Sequence, residues 1–94
     1  FVITAGGIGT FEEFFEVLTL KQLGRHGKAI AILNTNGYFD NLLAMLDTAV
    51  SGEFLTEKGR KLCAEFDSVE KLVDYLETYV PENMDIFEMR KLGK

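Results

Sequence analysis

Phe1-Val2-Ile3-Thr4 is a short apolar, β-branched run closed by Ala5-Gly6-Gly7, which predicts a buried strand and then a turn. From Thr10 the period changes: Phe11, Phe14, Phe15 and Leu18 fall at i, i+3, i+4 and i+7, the stripe of an amphipathic helix. Val17 and Leu20 widen that stripe. Gly24 stands where a helix C-terminus accepts positive φ, with Arg25, His26 and Lys28 gathered at the negative end of the helix dipole. Ala29 to Leu33 is apolar throughout, the mark of a strand covered on both faces in a parallel sheet. Asn34-Thr35-Asn36-Gly37 is turn chemistry. A second helix is predicted from Tyr38 to Val50, with Phe39, Leu42, Leu43, Leu46 and Val50 inward and Ser51-Gly52 at its end. Phe54 and Leu55 are expected to fold back on the core before a short helical turn at Thr56 to Arg60.

Leu62-Cys63-Ala64-Glu65-Phe66 alternates only in part, which suits a strand nearer a sheet edge. Asp67 or Ser68 can cap a last helix carrying Val69, Leu72, Val73 and Leu76 at helical spacing, and Pro81 stops it. Met84, Phe87 and Met89 in the tail are expected to form a docked turn or short helix. The order β-α-β-α-β-α, with long crossovers, predicts an α/β fold with a doubly wound parallel sheet and right-handed connections. Residues 1–80 form the domain and 81–94 the tail. The first strand shows no partner on its other side, and the chain opens inside a strand without Met, so an upstream half or another chain is expected to complete it.

The 94 residues allow one modest domain, and a 47% hydrophobic content excludes wholesale disorder. Ten Lys and Arg against 15 Asp and Glu leave a formal charge of −5, which argues against a nucleic-acid surface and suits solubility. A single Cys excludes a disulfide scaffold and fits a reducing, cytoplasmic compartment. No apolar run is long enough to span a membrane, and nothing reads as a signal peptide.

The stretch with chemistry is Ala5-Gly6-Gly7-Ile8-Gly9-Thr10-Phe11-Glu12-Glu13, which joins a strand's carboxyl end to a helix, where open α/β sheets bind ligands. The glycines let backbone approach a ligand closely, and the helix N-terminus favours an anion such as phosphate, to which Thr10 can add a hydroxyl. No Gly-Lys-Ser/Thr follows, and the glycines do not continue as G-x-G-x-x-G, so neither a Walker loop nor a dinucleotide fingerprint is present. Glu13 admits two roles. It can close a capping box with Thr10 as N-cap, or place a carboxylate one turn from a phosphate cradle to stabilise an oxocarbenium-like centre or orient water. Glu12 and Glu16 read as solvated helix charges.

The same residues resemble the PGGxGTxxE motif of the Lonely-guy (LOG) family of cytokinin riboside 5'-monophosphate phosphoribohydrolases, many once labelled lysine decarboxylases. Leu18 to Lys28 resembles the family's T-W-x-Q-L-G-x-H-x-K-P, Leu33 to Leu43 its L-N-x-x-G-Y-Y-x-x-L-L, and Glu53-Phe54-Leu55 its G-F-I segment. The resemblance runs from Phe1 to about Pro81. It implies a Rossmann-like fold and hydrolysis of the N-glycosidic bond of a nucleoside 5'-monophosphate to free base and ribose 5-phosphate. Gly6, Gly7, Gly9 and Thr10 then match the phosphate-binding turn and Glu13 the catalytic glutamate. A homodimer or larger homo-oligomer is implied, with no metal and no organic cofactor.

Three departures bear on this. Ala5 replaces the family's Pro, Leu20 replaces a common Trp, and the family's catalytic Arg and first glycine loop have no match among these 94 residues. Arg25, Arg60 and Arg90 do not correspond to that Arg, so the piece alone is expected to be inactive. The alternatives are a non-catalytic nucleotide-binding module, as in molybdenum-cofactor carrier and DNA-processing relatives of the fold, or an assembly piece using its open sheet edge. A pyridoxal enzyme is not supported, because Lys21 and Lys28 read as charges at a helix C-terminus. His26 reads as a solvated or capping residue, Cys63 as a buried thiol, and the Phe11-Phe14-Phe15 cluster as packing, part of which can face a second subunit. Asn34, Asn36 and Asp40 read as turn and cap residues.

Overall fold

The computed structural model describes residues 1–81, so the expectations for Met84, Phe87, Met89 and Arg90 lie outside the described residues. The elements run in the predicted order: β1 (Val2–Ile3), α1 (Ile8–Gln22), β2 (Ala31–Leu33), α2 (Asp40–Ser51), α3 (Glu57–Arg60), β3 (Ala64–Phe66) and α4 (Val69–Thr78), with a 3₁₀ turn at Thr35–Gly37 between β2 and α2. All strand pairs are parallel, in the order β1-β2-β3, with Ile3 beside Ile32 and Ala31 beside Ala64. This is an α/β, Rossmann-like arrangement with β2 at its centre. Ala29 to Ile32 are buried on both faces, and β3 lies at an edge, as its weaker pattern implied.

The two faces of the sheet differ in side-chain size. Ile3, Ile30 and Ile32 pack with Phe14, Val17 and Leu18 of α1 and with Phe39 and Leu43 at and within α2. Burying each such side chain contributes about 1.5–3 kcal/mol relative to exposure, so this face holds the core. α4 approaches β2 and β3 and buries Leu72.

The helical stripes are narrower than their periodicity suggested. In α1 the buried set is Phe14, Val17, Leu18 and Lys21, while Phe15 turns outward at 42% exposure. In α4 only Leu72 is buried, and Val69 and Val73 stay exposed. Phe54 does not fold back on the core but stands 76% exposed, because the chain leaves α2 through a left-handed Glu53. Ser68, rather than Asp67, caps α4 by accepting from the Lys71 N–H, and Asp67 pairs with Lys71 instead.

Candidate functional site

β1 ends at Ile3, and four residues carry the chain from it into α1, whose N-cap is Gly7. The Phe11 N–H closes the first intrahelical bond onto the Gly7 carbonyl. The helix therefore starts two residues before Thr10. Gly9 and Thr10 lie inside its first turn, and Glu13 lies in its second. This overturns the capping box, which requires Thr10 at the N-cap and Glu13 three residues later in the first turn. Glu13 is exposed instead, one turn beyond Gly9 on the same helical face.

The glycines have separate reasons to be glycine. A Cβ on Gly6 would stand 2.1 Å from the Thr10 hydroxyl, so Thr10 folds directly over that backbone. A Cβ on Gly7 or Gly9 would meet no atom within 4 Å. Packing inside the chain thus demands the first glycine and leaves the other two bare toward open space.

The α1 N-terminus is also chemically distinct. Its first backbone N–H groups, from Gly7 to Thr10, have no intrahelical acceptor, as in any α-helix. Thr56 and Ser68 cap α3 and α4, which carry Glu57 and Glu70 in their first turns. For α2 the Asn34 Oδ1 accepts from the Phe39 N–H, and Asp40 opens the helix. Among the described α-helices only α1 has neither a side-chain cap nor an acidic residue in its first turn. Its positive dipole end and these unbonded N–H groups favour negative charge.

The connection after β2 forms the neighbouring wall. Asn34 ties it together: its backbone N–H bonds the Phe66 carbonyl, and its side-chain amide donates to Asp40 and to Glu65 of β3. Asn36 and Gly37 follow at φ 54° and 70°, two consecutive left-handed residues. Beyond them the Tyr38 hydroxyl donates to the Gly6 carbonyl. Asn34 and Asn36 are the turn residues that the pattern indicated, whereas Asp40 is the first residue of α2 and Phe39, not Asp40, is its N-cap. Tyr38 was not among the singled-out side chains, although it follows a turn at the ligand-facing end of the sheet.

Other singled-out residues have structural partners. The His26 Nε2 lies 2.9 Å from the Val17 carbonyl, and its Nδ1 accepts from the Lys28 N–H. Arg60 pairs with Asp47. Burial pushes the Cys63 thiol above its ordinary pKa, outweighing Arg60 and Lys21 nearby, which keeps it protonated and unreactive at neutral pH. Lys21 is no solvated end charge. It is 2% exposed, and its ammonium donates to the Leu62 carbonyl and the Tyr79 hydroxyl. Its place seven residues after Phe14, on the buried stripe, was the signal for this.

A protein family described as possible lysine decarboxylase matches residues 1–76. The chain is 40% identical over 85 residues to cytokinin riboside 5'-monophosphate phosphoribohydrolase LOG2 of Arabidopsis thaliana, covering 90% of this chain and 40% of that protein. It is 38% identical over 98 aligned positions to LOG1 of the same plant, covering 99% of the chain and 46% of the relative. With the LOG protein of Oryza sativa subsp. japonica it shares 43% over 82 residues, 87% of the chain and 34% of the relative. The chain thus spans less than half the length of these relatives. With the match extending from β1 into α4, the chain belongs to this family, that of the Lonely-guy proteins.

Proposed function

We propose that the glycine turn and the first turn of α1 bind the 5'-phosphate of a nucleoside monophosphate, and that Glu13 helps to cleave its N-glycosidic bond. The observation that carries this is the uncapped, acid-free N-terminus of α1 behind two glycines with bare surfaces, in a chain of this family. A phosphate there accepts from the backbone N–H groups of Gly7, Gly9 and Thr10, with Gly6 giving Thr10 room to fold over the turn. Glu13 lies four residues beyond Gly9, about 6 Å along the helix axis. That is the order of distance between a 5'-phosphate and the anomeric carbon. A carboxylate at that point stabilises positive charge on the ribose as the base departs, or orients the attacking water.

The relatives' names specify cytokinin riboside 5'-monophosphates, which supports an adenine-type, N6-substituted base as substrate. A homo-oligomer is part of the proposal, since Ile8 and Phe15 on α1 are 80% and 42% exposed beside the site. The single buried thiol supports a reducing, cytoplasmic setting.

The test is base release from AMP and N6-isopentenyl-AMP, with circular dichroism on the same sample. The 94-residue chain alone is expected to be folded and silent, and to gain hydrolysis when joined to the upstream half of a relative, which supplies the family's Arg. In the joined protein Glu13→Gln removes the charge while keeping the shape, and is expected to lower kcat at least about 100-fold with an unchanged fold. Full turnover by that variant would remove Glu13 from the chemistry. A joined protein that binds AMP without releasing base would instead be a binding module.

A further inference from the structure

The bond from Tyr38 to Gly6 spans 32 positions and joins the two connections at the carboxyl end of the sheet. It falls on the peptide between two glycines, where steric restriction on the backbone is least. In a planar trans peptide the Gly6 carbonyl and the Gly7 N–H point in opposite directions. Whatever holds the carbonyl therefore also decides where the N–H points. A flip of this peptide would exchange an N–H donor for a carbonyl oxygen at the same place, and so attraction for an anion would become repulsion.

We propose that Tyr38 is a positioning residue: its hydroxyl holds the Gly6 carbonyl, locking the Gly6–Gly7 peptide so that the Gly7 N–H faces the anion. This rests on the phosphate role proposed above for the same turn. The ring is aimed by the fold around it. Phe39, 1% exposed, anchors the next residue in the core, and the Tyr38 ring meets its ring edge-on at 5.0 Å. Asn36 and Gly37 reverse the chain just before it in left-handed conformations, and a Cβ on Gly37 would stand 2.5 Å from the Asp40 carboxylate. Asn34 fixes the far side of this turn through Phe39, Asp40 and Glu65. Tyr38 itself is 48% exposed, so the hydroxyl can be removed without opening the core.

The experiment compares AMP and adenosine binding to the unaltered protein, Tyr38→Phe and Gly9→Ala, by calorimetry and by amide chemical shifts in ¹⁵N-labelled protein. One neutral hydrogen bond sets the expected scale, so Tyr38→Phe should weaken AMP binding roughly three- to tenfold. Adenosine affinity and melting temperature should stay as they were, and the Gly7 amide should respond less to AMP. An AMP affinity within twofold of the unaltered protein, with an undiminished Gly7 response, would sink the lock. Equal weakening of AMP and adenosine, or a variant that no longer folds, would make Tyr38 a structural residue only and refute the proposal equally. The underlying phosphate role fails separately: the unaltered protein would then not prefer AMP over adenosine, and Gly9→Ala would change nothing.

Discussion

Gly6 and Gly9 belong to the same turn, yet the alanine substitutions should move stability in opposite directions. At Gly6 the new methyl group collides with Thr10, so Gly6→Ala is expected to cost about 1–2 kcal/mol, as overpacking does. Removing the obstacle should recover most of that loss, and a Gly6→Ala/Thr10→Ala double variant tests it as a non-additive pair in urea denaturation. At Gly9 the methyl group meets open space inside a helix, so Gly9→Ala should stabilise by about 0.5–1 kcal/mol while weakening AMP binding. A residue kept for binding at the expense of stability would show this opposition, and one kept for packing would not. Cys63 gives a third residue-scale expectation. Its raised pKa means that the unfolded thiol ionises first, so the stability it contributes is intact below the ordinary thiol pKa of about 8.5 and is lost as pH rises past it. Iodoacetamide labelling at pH 7.5 should therefore be slow in the folded protein and fast in urea. Rapid labelling of folded protein would show the thiol to be reactive after all.

Helix ends show the same interplay among elements. Helix α1 closes with the Arg25 N–H on the Leu20 carbonyl and the Gly24 N–H on the Lys21 carbonyl, with Gly24 at φ 75°. Helix α2 closes identically, with Phe54 onto Ala49 and Glu53 onto Val50, but there the left-handed position is held by Glu53 at φ 65°. Its glycine, Gly52, sits one residue too early, at φ −84°. A left-handed conformation costs an L-residue roughly 1 kcal/mol, so Glu53→Gly is expected to raise stability by about that amount. A thermal melt showing no gain would mean that Glu53 makes compensating contacts. The sequence showed that α2 ends near Ser51-Gly52, but not which residue takes the strained position. A one-residue offset at a helix end changes no hydrophobic period.

For the molecule as a whole, the central strand was legible because five successive apolar residues suit a doubly covered position, and Ala29 to Ile32 are buried. The glycine turn was legible because its spacing is unusual and lies between a strand and a helix. The start of α1 was not, because Thr10 is a good N-cap residue and Gly7 a less favoured one, and local preference pointed three residues too late. Lys21 and Tyr38 were missed for a different reason. The spacing of Lys21 from Phe14 pointed to its burial, but the partners, Tyr79 and Gly6, lie 58 and 32 positions away, and no local pattern encodes such a meeting. β1 has its own consequence. It comprises two residues, pairs only with β2 in the described sheet, and is what the glycine turn hangs from. Its detachment would release the turn proposed above to bind phosphate and would uncover Ile3, while β2, β3 and the helices behind them persist, a partial opening of the fold. The Ala31 N–H, bonded to the Phe1 carbonyl, reports that opening, and the Ala64 N–H, bonded to the Ile30 carbonyl, reports the β2–β3 side. AMP at 100 times its Kd adds about 2.7 kcal/mol to whatever state binds it. Hydrogen exchange at Ala31 should then slow by up to about 100-fold, while Ala64 changes far less. Equal slowing at both amides would show that the protein opens as one body. Unequal slowing would make the nucleotide a clasp that fastens the sheet's shortest strand.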